Sequence, residues 1–398
     1  MIERKTYKLK DLVTVKGGKR LPKGISLQTE PNNHPYIRIR DMGKRRVLEL
    51  DSTYEYVDNT TQKTIARYIV ETGDVLLSIV GTIGLVGIVG KTLHHANQTE
   101  NCVKLVNLNG IDPLYLYYFL LSPKGQDEIK RGVVGAVQAK LPIKNIENIE
   151  ISLPQLSEQR VIVGILNAID DKIENNRRIN DNLEQQVQAL YKQWFVDNSK
   201  EEWENVKLED LVSICKKTIT PSQTPDIIFE HYSLPAFDDS KRPSYEKGSE
   251  IKSSKFIISN GMFLFSKLNP RIKRIWLPDI QTEYAICSTE FIPYKPKDAN
   301  LLGLCYSIIK SEEFYEYALS LTNGSTGSHQ RFHPCDTLDY VLKLPDNDNI
   351  KEFEKLVIPI YTAISKNIKE SERLSSLRDT LLPKLMSGEI SVEDVSLD

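Results

Sequence analysis

Two polar segments in the second half of the chain hold the residues with the clearest chemical potential. Lys267–Arg274 has four cations and no acid in eight residues, and Ser325–Arg331 joins small hydrogen-bond donors to His, Gln and Arg. Gln and Arg can form paired hydrogen bonds with adenine and guanine edges, and Lys and Arg neutralise phosphates. As a set these residues predict contact with a nucleic acid, whereas each one alone is as typical of a solvated surface.

The first half offers comparable residues. Gly132–Lys140 repeats the glycine and glutamine spacing of Gly324–Arg331, and residues 1–46 hold thirteen Lys or Arg against four acids, a local net charge of +9. A field of that sign attracts polyanions, although a solubilising face is the alternative. The whole chain carries only −2. The predicted DNA-contacting residues are Arg38, Arg40, Lys44, Arg45, Arg46, Lys140, Lys267, Arg271, Lys273, Arg274, Ser328, His329, Gln330 and Arg331.

Motifs for catalysis or metal binding are weak. Gly87–Thr92 resembles a phosphate loop, but Leu85 stands where that motif needs glycine. His329, His333 and Cys335 have a spacing seen at zinc sites, but no CxxC supplies further ligands. The five cysteines are scattered and unpaired in sequence, which is typical of a reducing compartment. We therefore expect no catalytic residues, no metal and no cofactor in this chain, and a location in the cytoplasm without a membrane span.

The segments around these loops occur twice. The matching pairs are Tyr7–Val13 with Val206–Val212, Gly73–Ser78 with Gly261–Ser266, and Asp112–Leu121 with Asn300–Ile309. A solenoid repeats every ~20–50 residues. The matching segments here are 188 or 199 residues apart, which indicates two similar domains in tandem.

Each repeat has the composition of a mixed α/β domain with short strands. The strands predicted in the first repeat are Tyr36–Ile39, Val75–Ile79, Leu85–Val89, Cys102–Val106 and Ile149–Leu153. Those predicted in the second are Phe256–Ile258, Met262–Phe265, Ile275–Leu277, Ile286–Ile292 and Tyr340–Leu344, and the first four of each set are taken as equivalent. A helix is expected after Asp112 and after Asn300, each serving as N-cap.

A long helix with heptad spacing is predicted after each domain, over residues 158–197 and 350–386. Ser157 is the expected N-cap of the first helix, and Gly388 is the expected stop of the second. Asn176 and Asn180 fall at seam positions, where polar residues fix register, and Arg378 interrupts the second seam. The predicted apolar seam comprises Leu166, Ile169, Ile173, Leu183, Val187, Leu190, Val357, Ile360, Ile364, Leu374 and Leu381.

An exposed apolar stripe of this length needs a partner, and the other long helix of the same chain is the obvious one. Because each helix follows its own domain, antiparallel pairing would place the domains at opposite ends of a rod. The alternative is that each helix packs on its own domain as an ordinary core helix.

Six segments of the chain resemble segments of the specificity subunit of type I restriction–modification systems. They are Gly73–Gly84, Leu153–Arg160, Ile169–Ile173, Leu190–Phe195, Ser325–Arg331 and Leu381–Ile390. The resemblance implies two target-recognition domains, each followed by a long helix, with the helices pairing as an antiparallel coiled coil. It also implies a bipartite, asymmetric DNA site, two modification subunits that bring S-adenosylmethionine for adenine-N6 methylation, and restriction subunits that use ATP and Mg²⁺.

The expected organisation is therefore α+β. Residues 1–155 form the first recognition domain, 156–198 the first helix, 199–347 the second domain, 348–390 the second helix and 391–398 a tail. The expected function is double-stranded DNA recognition and scaffolding without catalysis. Two alternatives are a coiled-coil scaffold that joins two protein-binding modules, and a self-sufficient enzyme such as a nuclease.

Overall fold

A computed structural model describes residues 4–43, 45–322 and 330–391 of the chain. It divides into two compact units. The first unit holds the described residues up to Glu174 and from Glu370 onward, and the second holds Asn175–Lys369. Within the described ranges, no helix is both long and apolar enough to cross a membrane.

The described residues of the first unit form ten strands in three sheets. They are β1 (Lys5–Lys8), β2 (Thr14–Gly17), β3 (Pro35–Ile37), β4 (Val47–Leu48), β5 (Glu55–Tyr56), β6 (Val75–Ser78), β7 (Val86–Val89), β8 (Asn97–Gln98), β9 (Cys102–Val106) and β10 (Glu150–Leu153). The main sheet has the order β2-β9-β6-β7-β4, a second sheet the order β5-β3-β8, and β1 pairs with β10. The helices are α1 (Asn59–Ile65), α2 (Pro113–Leu121), α3 (Pro123–Gly132) and α4 (Ile143–Glu147), followed by the long α5 (Leu156–Tyr191) and a π-helical turn, Lys192–Asp197.

The second unit repeats this plan. Its strands are β11 (Glu204–Lys207), β12 (Val212–Ile214), β13 (Thr218–Ile219), β14 (Ile228–Tyr232), β15 (Ser244–Lys247), β16 (Lys255–Ile257), β17 (Phe263–Ser266), β18 (Ile275–Trp276), β19 (Ala285–Ser288), β20 (Phe291–Pro296) and β21 (Val341–Leu344). The sheets have the orders β12-β20-β17-β18 and β13-β16-β19-β14-β15, and β11 pairs with β21. The helices are α6 (Leu208–Leu211), α7 (Leu234–Ser240), α8 (Leu302–Lys310), α9 (Glu312–Ser320) and the long α10 (Asn347–Ser387).

The strand partners confirm the internal repeat but correct one predicted equivalence. β3 lies between antiparallel β5 and parallel β8, and β14 lies in the same way between β15 and β19. The counterpart of β3 is therefore β14, which the sequence analysis missed. Phe256–Ile258, predicted to be that counterpart, instead overlaps β16, which adds to the other edge of β19.

A second correction concerns the single strand predicted over Ile286–Ile292. The chain forms two strands there, β19 and β20, which belong to different sheets. Both strands are largely buried, but the polar residues Ser288, Thr289 and Glu290 separate their apolar parts. The prediction of one strand overlooked this break, and the sequence pattern alone does not show that the two strands join different sheets.

Helix starts agree with the sequence at one of three predicted caps. The Asp112 carboxylate accepts hydrogen bonds from the backbone N–H groups of Leu114 and Tyr115, so it caps α2. The predictions for Asn300 and Ser157 were wrong. Asp298 caps a 3₁₀ turn before α8, and Ser157 is the second residue of α5.

The two long helices pair antiparallel in the first unit. Lys172 of α5 forms an ion pair with Glu370 of α10 at 3.3 Å, and Asp170 pairs with Arg378 at 2.9 Å. Arg4 bridges Glu158 near the start of α5 to the Leu385 carbonyl near the end of α10. Because the position in α10 rises as the position in α5 falls, the directions are opposite.

The same antiparallel pairing occurs in the second unit, where polar seam residues meet. The Asn367 amide donates to the Asn180 side-chain oxygen at 2.8 Å, and Asn176 donates to the Asn367 carbonyl. Further along, the rings of Phe195 and Phe353 stack edge to face at 4.8 Å. Asn176 is buried and Asn180 and Asn367 are half-buried, so a shift of register would separate polar groups that are paired here.

Each long helix also enters a domain core, so the two packing alternatives occur together. The larger core of the first unit includes Ile162 and Leu166 of α5 with Leu382 and Leu385 of α10. The larger core of the second unit includes residues of α5 and α10 as well, among them Val187, Tyr191, Phe195, Phe353, Val357, Tyr361 and Ile364. Lys310 of α8 forms a partly buried ion pair with Glu184 of α5 at 2.9 Å. Burial lowers the pKa of Lys310, and the Glu184 charge opposes that shift.

We predict that Leu166→Ala lowers the free energy of unfolding by about 2–5 kcal/mol, because the side chain is fully buried among both helices and the first core. Leu377→Ala is the matched control. Its side chain lies on the long helix α10 but is 46% exposed, so a change below about 0.5 kcal/mol is expected. Urea denaturation followed by circular dichroism measures both, and equal losses would contradict the buried seam.

Candidate nucleic-acid interface

Two loops of the first domain join at the end of the β6–β7 hairpin. The hairpin loop contains Val80, which forms an antiparallel bridge to Lys140 in the loop between α3 and α4. The next residue, Leu141, donates its backbone N–H to the Ile79 carbonyl at 2.9 Å. Lys140 also closes its own loop by a two-way backbone pairing with Val134. The base of the second loop is thus fixed to the hairpin.

The second domain builds the same junction. Leu268, in the loop after β17, forms an antiparallel bridge to Arg331, and Asn269 donates its backbone N–H to the Gln330 carbonyl at 3.0 Å. Phe332, the residue after Arg331, is buried, as Leu141 is after Lys140. Lys140 and Arg331 therefore occupy equivalent positions, and each is exposed.

Side chains that sequence reasoning did not single out hold these loops. Ser78 and Ser266 end β6 and β17, and each hydroxyl donates to a loop carbonyl while accepting a loop N–H. From the helix beneath, Gln126 donates to the Gly84 carbonyl and Tyr315 donates to the Pro270 carbonyl. The matching serines were visible in the repeated strand motif. Gln126 and Tyr315 could not be found from the repeat, because two different residue types supply the hydrogen bond to the loop carbonyl in the two domains.

The charge at the two junctions is positive and largely unpaired. Lys140, Lys267 and Arg271 form no ion pair with any acid in the described part of the chain. Arg331 pairs with Glu290 at 3.0 Å, and this hydrogen-bonded carboxylate raises the pKa of the guanidinium. Its side chain remains 47% exposed, so a stronger anion can still reach it.

Other predicted DNA-contacting residues have structural partners. Arg38 binds Asp41 and Glu55, and its side chain is 15% exposed. Arg274 is buried and forms a two-bond ion pair with Asp238, at 2.6 and 2.7 Å. The more exposed Arg40 and Lys273 are also near acids: Arg40 pairs with Glu55 at 3.2 Å, and Lys273 with Glu312 at 3.6 Å. A buried guanidinium that already binds a carboxylate is poorly placed to neutralise a phosphate.

Arg46 belongs to a polar network on the long helices of the first unit. Its guanidinium donates to Asn167 and Asp171 of α5. Burial opposes its charge, but hydrogen bonds to Asp171 and Tyr118 raise its pKa, so it stays protonated. Tyr118 in turn donates to Asp170, and burial with that carboxylate raises the tyrosine pKa. These contacts give Arg46 a role in joining the first domain to α5.

The remaining predicted residues are less defined. Lys44, Ser328 and His329 lie outside the described residues. Arg45 is half-buried, and Gln330 contributes the backbone carbonyl that Asn269 binds. In the described ranges, no group of three or more His, Cys, Asp or Glu residues is arranged to hold a metal ion.

Comparisons with known proteins agree with this arrangement. A family model described as the type I restriction modification DNA specificity domain matches residues 1–185. The type I restriction enzyme MjaIX specificity subunit of Methanocaldococcus jannaschii is 24% identical over 98% of this chain and 94% of its own length. The type I restriction enzyme HindI specificity subunit of Haemophilus influenzae is 21% identical over 71% of this chain and 79% of its own. A crystal structure of the type I restriction–modification system S subunit from M. genitalium has a TM-score of 0.56, 15% identity and 96% coverage of both chains.

The match of residues 1–185 identifies the first unit with a DNA specificity domain, and the second unit repeats the loop junction of the first. Residues 1–185 match the type I specificity domain, and most of the chain is similar to type I restriction enzyme specificity subunits, which confirms the resemblance carried by its motifs. At this level its function is sequence-specific DNA recognition.

We predict that Arg274→Ala lowers the free energy of unfolding of the chain by about 1–3 kcal/mol, because it removes a buried guanidinium and its two charge-assisted hydrogen bonds to the partly exposed Asp238 carboxylate. Arg271→Ala, three residues away on the same loop but exposed, should change it by less than about 0.5 kcal/mol. Thermal and urea unfolding distinguish the two, and an unstable Arg271→Ala with a stable Arg274→Ala would reverse the assignment.

Proposed function

We propose that the chain reads an asymmetric, bipartite DNA site, one half with residues 1–155 and the other with residues 199–347. The helices within 156–198 and 348–390 then set the spacing of the halves. The observation that carries this proposal is the repeated loop junction, with Lys140 and Arg331 at equivalent positions beside differing loop sequences. Equivalent cations supply phosphate contacts, and differing loops read different bases.

The lengths of the helices are compatible with this role. α5 has 36 residues and α10 has 41, and a helix rises ~1.5 Å per residue, so they span about 54 and 61 Å. Points on one face of B-DNA recur every ~34 Å. A helix pair of this length is sufficient to connect two readers one turn apart.

In this proposal the chain itself does not catalyse a reaction. It recognises double-stranded DNA in the cytoplasm and serves as the scaffold for two modification subunits and for restriction subunits. S-adenosylmethionine, ATP and Mg²⁺ would be bound by those partners. The exposed faces of α5 and α10 beside the seam are the proposed docking surfaces.

The decisive experiment is methylome sequencing of a host with and without this gene, with its modification subunit present in both. We expect one bipartite adenine-methylated motif that disappears with the gene. If no motif changes, and if the complex also fails to retain duplex DNA on filters at low salt, then the chain is a scaffold for proteins. Methylation or cleavage by the purified chain alone would instead identify an enzyme.

We predict that Lys140→Ala and Lys267→Ala each weaken DNA binding by the assembled complex similarly for specific and random duplexes. Each should reduce the slope of log K against log salt by about 1, because one phosphate contact is lost. Lys200→Ala is the control, since Lys200 is exposed outside the two long helices and pairs with Glu202. Fluorescence anisotropy over a salt series measures the slopes, and an unchanged slope for both loop variants would remove these residues from the interface.

A further inference from the structure

The loop Val134–Lys140 presents an apolar tip to solvent. All seven residues are exposed, and four of them are Val or Ala. Val137 is 102% exposed and Val134 is 42% exposed. A single exposed valine is ordinary on a protein surface, but four apolar residues in a seven-residue loop with no acid form a specific chemical feature.

The backbone holds this tip in one conformation. Val134 and Lys140 exchange two hydrogen bonds, of 2.9 and 3.0 Å, across the base of the loop. Gly135 has a φ of +95°, and a Cβ there would lie 2.6 Å from the Gln138 carbonyl oxygen. The Asn145 side chain also donates to the Gly132 carbonyl at 2.7 Å. A loop fixed in this way loses little conformational entropy when it binds.

We propose that this tip reads an A·T pair in the major groove of the half-site bound by the first domain. Val137 packs against the C5 methyl of thymine, and Gln138 beside it forms two hydrogen bonds with the N6 and N7 atoms of an adenine. This inference rests on the proposed DNA-reading function. Lys140, exposed at the base of the same loop, supplies the adjoining phosphate contact.

The chemistry around the tip favours DNA over a protein partner. The cation at its base forms no ion pair with an acid of the described chain, and its equivalent in the other domain is also a cation, Arg331. The loop sequences before these two cations differ in chemical character: Ala-Val-Gln-Ala precedes Lys140, and Thr-Gly-Ser-His-Gln precedes Arg331. A cation at the same position in both domains, with an apolar loop sequence in one and a polar loop sequence in the other, suits two half-sites of different DNA sequence.

The test uses the chain assembled with its modification subunits and the duplex motif found by methylome sequencing. Each thymine of the motif is replaced in turn by uracil, which removes only the C5 methyl. We expect one such replacement to weaken binding by wild-type complex about 3- to 10-fold. Val137→Ala should weaken binding to the thymine duplex by a similar factor and should no longer distinguish uracil from thymine. Val341→Ala, at a 51% exposed valine of the second domain, is the matched control and should discriminate as wild type does.

Three results would overturn the inference while leaving the proposed function intact. One is that wild-type complex binds every uracil duplex as tightly as it binds the thymine duplex. Another is a Val137→Ala complex that keeps full discrimination. The third is a Val137→Ala chain that loses its modification subunits but keeps DNA selectivity, which would make the tip a protein contact. Loss of specific binding by wild type to the thymine duplex itself would count against the proposed function instead.

Discussion

The packing of α5 against α10 is the contact on which both units depend. Neither domain encloses its larger core without residues from both helices, since Ile162 and Leu385 belong to the first core and Val187 and Phe353 to the second. The seam is not purely apolar. It includes the Asn180–Asn367 pair in one unit and the Asp170–Arg378 pair in the other. These groups are partly buried, and a shift of register would break their pairing, so they favour the observed register.

The sequence predicted the parts of the fold whose signal is local or periodic. Strands β6 and β9, the Asp112 cap and the heptad spacing of the helices could be read from apolar pattern and capping chemistry alone. It failed for β14, which lies in the stretch where the two repeats have diverged and whose partner β19 is distant in sequence, with Glu230 opposite Ala285. Strand pairing between distant segments is a tertiary property, and a single sequence does not contain it.

The candidate interface was predictable in composition but not in detail. Residues 1–46 hold thirteen cations, but Arg38 binds Asp41, three residues away, and Arg46 binds Asp171, 125 residues away. The same holds for Arg274 and Asp238, 36 residues apart. Charge counting identifies which side chains are cationic, whereas folding decides which of them remain available to a polyanion. Lys140 and Lys267 could therefore be separated from their neighbours only by their contacts.

The way the junction loops are held has a further consequence. Ser78 and Gln126 bind backbone atoms of the β6–β7 hairpin loop. The loop Val134–Lys140 is held at its base by backbone pairing and by the Asn145 side chain, which binds the Gly132 carbonyl. In the first domain the residues between Gly135 and Lys140 contribute no buried side chain. Substitutions there leave the free energy of folding nearly unchanged. Under the proposed function, new binding preferences can thus arise by a few codon changes, without compensating mutations in the domain core.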